Sequence, residues 1–150
     1  MHPPLILLVE DNPDDEELTQ LALREAGVEH VLVVTRDGAE ALGYLFGLER
    51  PVGLAPGAWP ALILLDLKLP KVDGHEVLRR VRADERTRSI PVVVLSTSRE
   101  DLDLATSYRL GANSYVRKPV DFDRFTNVMQ QLGRYWLTVN EIQVAPGGRG

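Results

Sequence analysis

Apolar and amphipathic runs alternate along this chain from its first residues to its last third. Leu5–Val9, Ala61–Leu65 and Ile90–Leu95 are continuous apolar runs, His30–Thr35 is β-branched and apolar, and Ser114–Arg117 is a shorter fifth candidate. Runs of this length read as strands, and uninterrupted apolar ones as strands buried on both faces. Between them lie stretches with helical spacing. Leu18, Leu21, Ala22 and Ala26 mark a first helix, with Asn12 as N-cap, Pro13 at the first helical position and Gly27 as the stop. Asp37 caps a second helix running to about Gly47. Asp73-Gly74 leads into a third with Val77, Leu78 and Val81 inward, and Leu102, Ala105 and Tyr108 mark a fourth. The last starts near Asp121 and carries Phe122, Phe125, Val128, Met129, Leu132, Tyr135 and Trp136 at three- and four-residue steps.

Strict β-α alternation predicts an α/β fold with a parallel sheet covered by helices on both faces, and right-handed crossovers make it doubly wound. The rhythm breaks at Leu48–Pro60, where Pro51, Gly53, Pro56, Gly57 and Pro60 predict a loop. The end, from Ala145 to Gly150, reads as disordered. We therefore expect one domain over residues 1–138 and a partly disordered tail over 139–150.

Composition narrows the function more than the fold. The 150 residues are 44% hydrophobic and 26% charged, ordinary for one globular domain. Without cysteine, disulfides and thiolate metal sites are excluded, and the scattered His2, His30 and His75 argue against zinc. A net charge of −5 disfavours nucleic acid. No apolar run reaches the roughly 20 residues that span a bilayer, and no signal peptide is evident. The expectation is a cytoplasmic protein, away from membranes, with room for no second domain.

The candidate chemistry sits at the strand ends. Asp66 ends the third apolar run, Glu10-Asp11 ends the first, Ser96 the fourth, and Lys118 follows the fifth. Open α/β sheets place their sites at this edge. An ionised carboxylate is a nucleophile near pH 7 without help from a base. Its obstacle is the negative charge of a phosphoryl partner, which Mg²⁺ relieves by binding oxygens of both. Asp11 and Asp66 are the obvious direct ligands, Glu10 a longer one acting directly or through water, and the Lys68 carbonyl a further position. Lys118 offers a point charge and Ser96 a hydroxyl for the phosphoryl oxygens. Asp14, Asp15, Glu16 and Glu17 read as complements to a helix N-terminus rather than as a metal cluster. His75, Arg79, Arg80 and Arg82 read as surface residues.

These residues in this order resemble the receiver domain of two-component response regulators over roughly residues 5–133. The motifs are Glu10-Asp11, Asp66 followed by Pro70 and Asp73-Gly74, Ser96, and Lys118-Pro119. The resemblance implies a flavodoxin-like, five-stranded sheet in the order 2-1-3-4-5, flanked by five helices. It implies that Asp66 accepts a phosphoryl group from a histidine kinase. Mg²⁺ is implied at Glu10, Asp11, Asp66 and the Lys68 carbonyl, with Lys118 and Ser96 on the phosphoryl group. A cis Lys118–Pro119 bond is implied as well, with Ser96 and Tyr115 as switch residues: Ser96 moves to the phosphate and Tyr115 turns inward. Pro13-Asp14-Asp15, the long loop and Tyr135-Trp136 narrow the likeness to single-domain regulators partnered with bacterial phytochromes. Thr97 and Lys68 depart from the common pattern; Thr97 is expected to narrow access to Asp66, and Lys68 to place a cation over the site.

The leading reading is thus a non-enzymatic signalling module with at most slow self-dephosphorylation, acting as terminal output, relay intermediate or phosphate sink. A small phosphotransfer or dehalogenation enzyme is a rival, but such enzymes need a cap domain. A flavin protein is another, yet Glu10, Asp11, Asp14 and Asp15 would repel the FMN phosphate. Apolar Tyr135, Trp136, Leu137, Val139, Ile142 and Val144 continue past the last helix's core stripe, which predicts a homodimer through this end. Their packing onto the Leu48–Pro60 loop, with Trp59, is the monomeric alternative.

Overall fold

A computed structural model describes residues 3–47, 59–119 and 121–141. The strands are β1 (Leu5–Val9), β2 (Val31–Thr35), β3 (Leu62–Asp66), β4 (Val92–Ser96) and β5 (Ser114–Arg117). All pairings are parallel, and the order is β2-β1-β3-β4-β5, as the resemblance implies. The helices are α1 (Pro13–Glu25), α2 (Gly38–Phe46), α3 (Gly74–Ala83), α4 (Asp101–Arg109) and α5 (Phe122–Arg134), and a π-helical turn, Tyr135–Val139, extends α5. None is long and apolar enough to cross a membrane among the described residues.

Local chemistry sets the helix starts. The Asn12 side chain accepts the backbone N–H groups of Asp14 and Asp15, and Pro13 follows at the first helical position. Asp37, Asp73 and Asp121 cap α2, α3 and α5 in the same way. Gly27 stops α1 at a φ of 75°, a conformation that favours glycine.

The period of two along the strands divides the core into two layers. Ile6 and Leu8, Leu62 and Leu64, Val93 and Leu95 face α1 and α5, where Ala22, Leu23, Phe125 and Met129 meet them. Leu7 and Val9, Ile63 and Leu65, Val92 and Val94 face the other side, against Tyr44, Leu45, Val77, Leu78 and Val81. Both faces of β1, β3 and β4 are fully buried.

Three expectations change. Leu102, Ala105 and Tyr108 lie on the exposed side of α4, with Leu102 70% exposed; Ser107 is the helix's only buried residue. Spacing locates a helix but not the side it packs, and an apolar stripe and a small buried serine alternate on this one. Phe122 is exposed rather than covered, because it opens α5 at the rim, before the helix reaches the sheet. Trp136 does not join an exposed cluster: the π-helical turn folds it into the α1–α5 layer, with Leu137 partly buried beside it, while Tyr135 and Val139 stay exposed. Trp59 packs on the opposite layer, its ring 5.7 Å below the Arg86 guanidinium, so the two tryptophans do not meet. Most of the Leu48–Pro60 loop, together with Ile142, Val144 and the predicted disordered end, lies outside the described residues.

Candidate functional site

The register brings the strand ends into one rim. Asp66 pairs with Leu95, and Ser96 pairs with Arg117, so Asp66, Ser96 and Lys118 leave the sheet at nearly the same level. Glu10 follows β1, the neighbour of β3, and its backbone N–H is bonded to the Thr35 carbonyl. Gly74 lets the start of α3 close over β3, since a Cβ there would collide with the Asp66 carbonyl oxygen. Glu10, Asp11 and Asp66 each bring a carboxylate oxygen within 4.8 Å of the others. Glu10 and Asp66 are buried, while Asp11 is exposed on the open side. Such an all-oxygen donor set fits a hard divalent cation.

The buried Lys118 ammonium anchors the cluster. It donates to Glu10 Oε1 at 2.6 Å, Asp15 Oδ2 at 2.9 Å and Asp66 Oδ2 at 3.3 Å. Burial works against its charge, but Asp66 and Glu10 outweigh that, and the lysine titrates well above its ordinary range. Glu10 is pushed up to about 7, chiefly by burial; Lys118 pulls it down and Asp66 adds to the rise. Several carboxylates share one ammonium here, so the lysine keeps its proton and Glu10 is the acid that yields.

Asp66 Oδ1 accepts the backbone N–H of Lys68 at 3.2 Å. The Lys68 Nζ stands 3.7 Å from Asp103 on α4. Ser96 is fully buried, and its hydroxyl accepts the Ser98 N–H. Thr97 is exposed at the rim. Tyr115 packs against the α2–α3 layer with its hydroxyl already buried and without a hydrogen-bond partner, so in this conformation the ring is inward. The described residues contain no cis peptide bond, which corrects the cis Lys118–Pro119 bond. The trans form is favoured by about 0.5–1 kcal/mol, and Lys118 is already fixed by its own N–H bond to the Ser96 carbonyl.

Two contacts escaped sequence reasoning. Asp15 reaches Lys118 from the first turn of α1, a contact that no local spacing announces. Asp103 joins Ser98 Oγ at 2.6 Å to Lys68, and nothing in local spacing ties these three residues together. Asp11, Lys68, Asp73, His75 and Asp103 surround a cleft of about 540 Å³ beside Asp66's loop.

A doubly wound sheet of this order, with an acidic pocket and a buried lysine at its carboxyl edge, defines a signalling receiver. The chain matches the response regulator receiver domain over residues 6–130 and belongs to that family. It is 44% identical over 138 residues to the probable methanogenesis regulatory protein FilR2 of Methanothrix harundinacea, covering 92% of this chain and 86% of that protein. It is 38% identical over 135 residues to response regulator Rcp1 of Synechocystis, covering 90% of each. Among solved structures, the phosphorylated cyanobacterial phytochrome response regulator RcpA superposes with a TM-score of 0.87 at 39% identity, over 94% of this chain and 99% of that one. The Mn²⁺-bound form of Rcp1 gives 0.86 at 36%, over 95% and 100%. The bacteriophytochrome response regulator AtBRR is 50% identical with a TM-score of 0.71, over 94% and 100%. The protein is therefore a phosphoacceptor signalling protein related to phytochrome response regulators.

Proposed function

We infer that Asp66 takes the phosphoryl group from a phosphohistidine of a sensor kinase, that the kinase is a phytochrome, and that both act in the cytoplasm. One observation carries this reading: a buried Asp66 lies within 4.8 Å of two further carboxylates and 3.3 Å from a buried ammonium. One Asp66 oxygen attacks phosphorus, the P–N bond to the kinase imidazole breaks, and the imidazole leaves with that electron pair. Mg²⁺, held by Glu10, Asp11, Asp66 and the Lys68 carbonyl, would offset the charge of the two anions; the Mn²⁺-bound Rcp1 supports a divalent cation here. Lys118 and Ser96 hold the phosphoryl oxygens: the Ser96 hydroxyl accepts from the Ser98 N–H and keeps its own O–H to donate. Ser96 and Tyr115 act as the switch. Loss of the phosphoryl group by self-hydrolysis is slow. Residues 1–138 form the receiver and 139–150 a tail, and a homodimer uses the exposed Tyr135 and Val139.

Phosphoramidate with Mg²⁺ should add one phosphoryl mass to the intact protein, and Asp66→Asn should abolish it. Undiminished uptake by that variant rules out Asp66. Phosphotransfer from a phytochrome kinase, compared with other sensor kinases, tests the partner, and light scattering tests the dimer.

A further inference from the structure

The geometry points to Asp15 as a positioning residue that holds the Lys118 ammonium ready for a phosphoryl oxygen; this rests on the reading of Asp66 as acceptor. An ammonium has three N–H donors, and here each meets a different carboxylate. The three contacts are not equivalent. Glu10 and Asp15 hold Lys118 at 2.6 and 2.9 Å, while Asp66 lies at 3.3 Å. The weakest contact is thus the one to the acceptor itself. When the Asp66 oxygen becomes bonded to phosphorus, the third donor passes to a phosphoryl oxygen. The bonds to Glu10 and Asp15 hold the ammonium in place, and the Asp15 bond keeps it from being drawn wholly onto Glu10.

Asp15 suits this task better than the other acids. Glu10 belongs to the cation cluster, and its loyalty is divided. Asp15 stands outside that cluster, on the first turn of α1, whose start is fixed by Asn12. Its side chain is 24% exposed, so it stays partly solvated while bonding a lysine side chain only 5% exposed. A carboxylate beside a site that must accept an anion is electrostatically unfavourable, which is the reason to look for a compensating role. Asp14, its exposed neighbour, makes no side-chain contact with Lys118 and serves as the control for helix-terminus charge.

The test uses the full chain. Beryllofluoride with Mg²⁺, a stand-in for the phosphoryl group, is titrated by ¹⁹F NMR, and the metal-free protein is followed through the ¹H–¹⁵N signal of its lysine ammonium groups. Asp15→Ala should weaken beryllofluoride binding about tenfold, the scale of one charge-assisted hydrogen bond. Asp15→Glu should recover part of it. Mg²⁺ affinity alone should change less than about twofold, because Lys118 is no metal ligand. Without metal, the wild type should show a slowly exchanging ammonium that Asp15→Ala loses and Asp14→Ala keeps. Wild-type affinity in Asp15→Ala, or equal losses in Asp14→Ala and Asp15→Ala, overturns the inference. Failure of the wild type to bind beryllofluoride overturns the reading of Asp66, and this inference with it.

Discussion

Helices α3 and α4 are neighbours on the same side of the sheet, yet they are held by different forces. α3 buries Val77, Leu78 and Val81 against the strands. Its Arg82 also donates to the Gly111 and Ile90 carbonyls and to Asn113 Oδ1. α4 buries only Ser107 and leaves Leu102 and Tyr108 exposed. What fastens it is polar: His75 to Ser107 at 3.1 Å, Ser98 and Lys68 to Asp103, and the Tyr108 hydroxyl to the Tyr115 N–H. Apolar burial is non-directional and strong, whereas exposed polar contacts add little to stability and depend on geometry. A helix held mainly by the second kind opens at lower free energy. The ties of its Asp103 end on Ser98 and Lys68, which bond directly to Ser96 and Asp66. The lightly held helix is thus also the one wired to the site.

Leu78→Ala should be the most damaging change, costing about 2–5 kcal/mol in chemical denaturation. A cost below that range would remove the contrast with α4.

The rim should respond to pH and metal together. In the metal-free protein Glu10 titrates at about 7 against an ordinary 4.5, so the folded state binds this proton more tightly. Its contribution to stability is full below about 4.5 and is lost as pH rises through about 7. Mg²⁺ replaces the proton as the countercharge. The melting temperature gained with Mg²⁺ should therefore be larger at pH 8 than at pH 5.5, by roughly a few degrees. An equal gain at both values would remove Glu10 from the metal site.

Asp103→Ala cuts the ties to Ser98 and Lys68 at once. Hydrogen exchange in α4 should quicken about tenfold while α3 amides stay unchanged. Parallel acceleration in both helices would show that they open as one unit. Leu102→Ala should do least, within about 0.5 kcal/mol of wild type, because the side chain is 70% exposed. A larger loss would mean that α4 has an apolar hold after all.

Much of this was legible before the structure. Leu5–Val9, Leu62–Leu65 and Val92–Leu95 are apolar without interruption, and such runs call for burial on both faces. Asn12, Asp37, Asp73 and Asp121 announce helix starts because a short side-chain oxygen there satisfies free N–H groups. Glu10, Asp11, Asp66, Ser96 and Lys118 follow strand ends, and a parallel sheet carries all its carboxyl ends to one edge. Their convergence follows from topology alone.

The rest depended on packing between elements distant in the chain. Spacing cannot choose which side of α4 meets the protein, because Leu102, Ala105 and Tyr108 form as good a stripe as the one that packs. Trp136 could have been an interface residue until the π-helical turn carried it into the α1–α5 layer. Lys118 reaches Asp15 across 103 residues, and Asp103 gathers Lys68 and Ser98 from two different loops. Periodicity and capping are local in the chain and can be read there. Which charged group takes which partner is settled only when the sheet's register sets their distances, since direct pairing requires contact within a few ångströms.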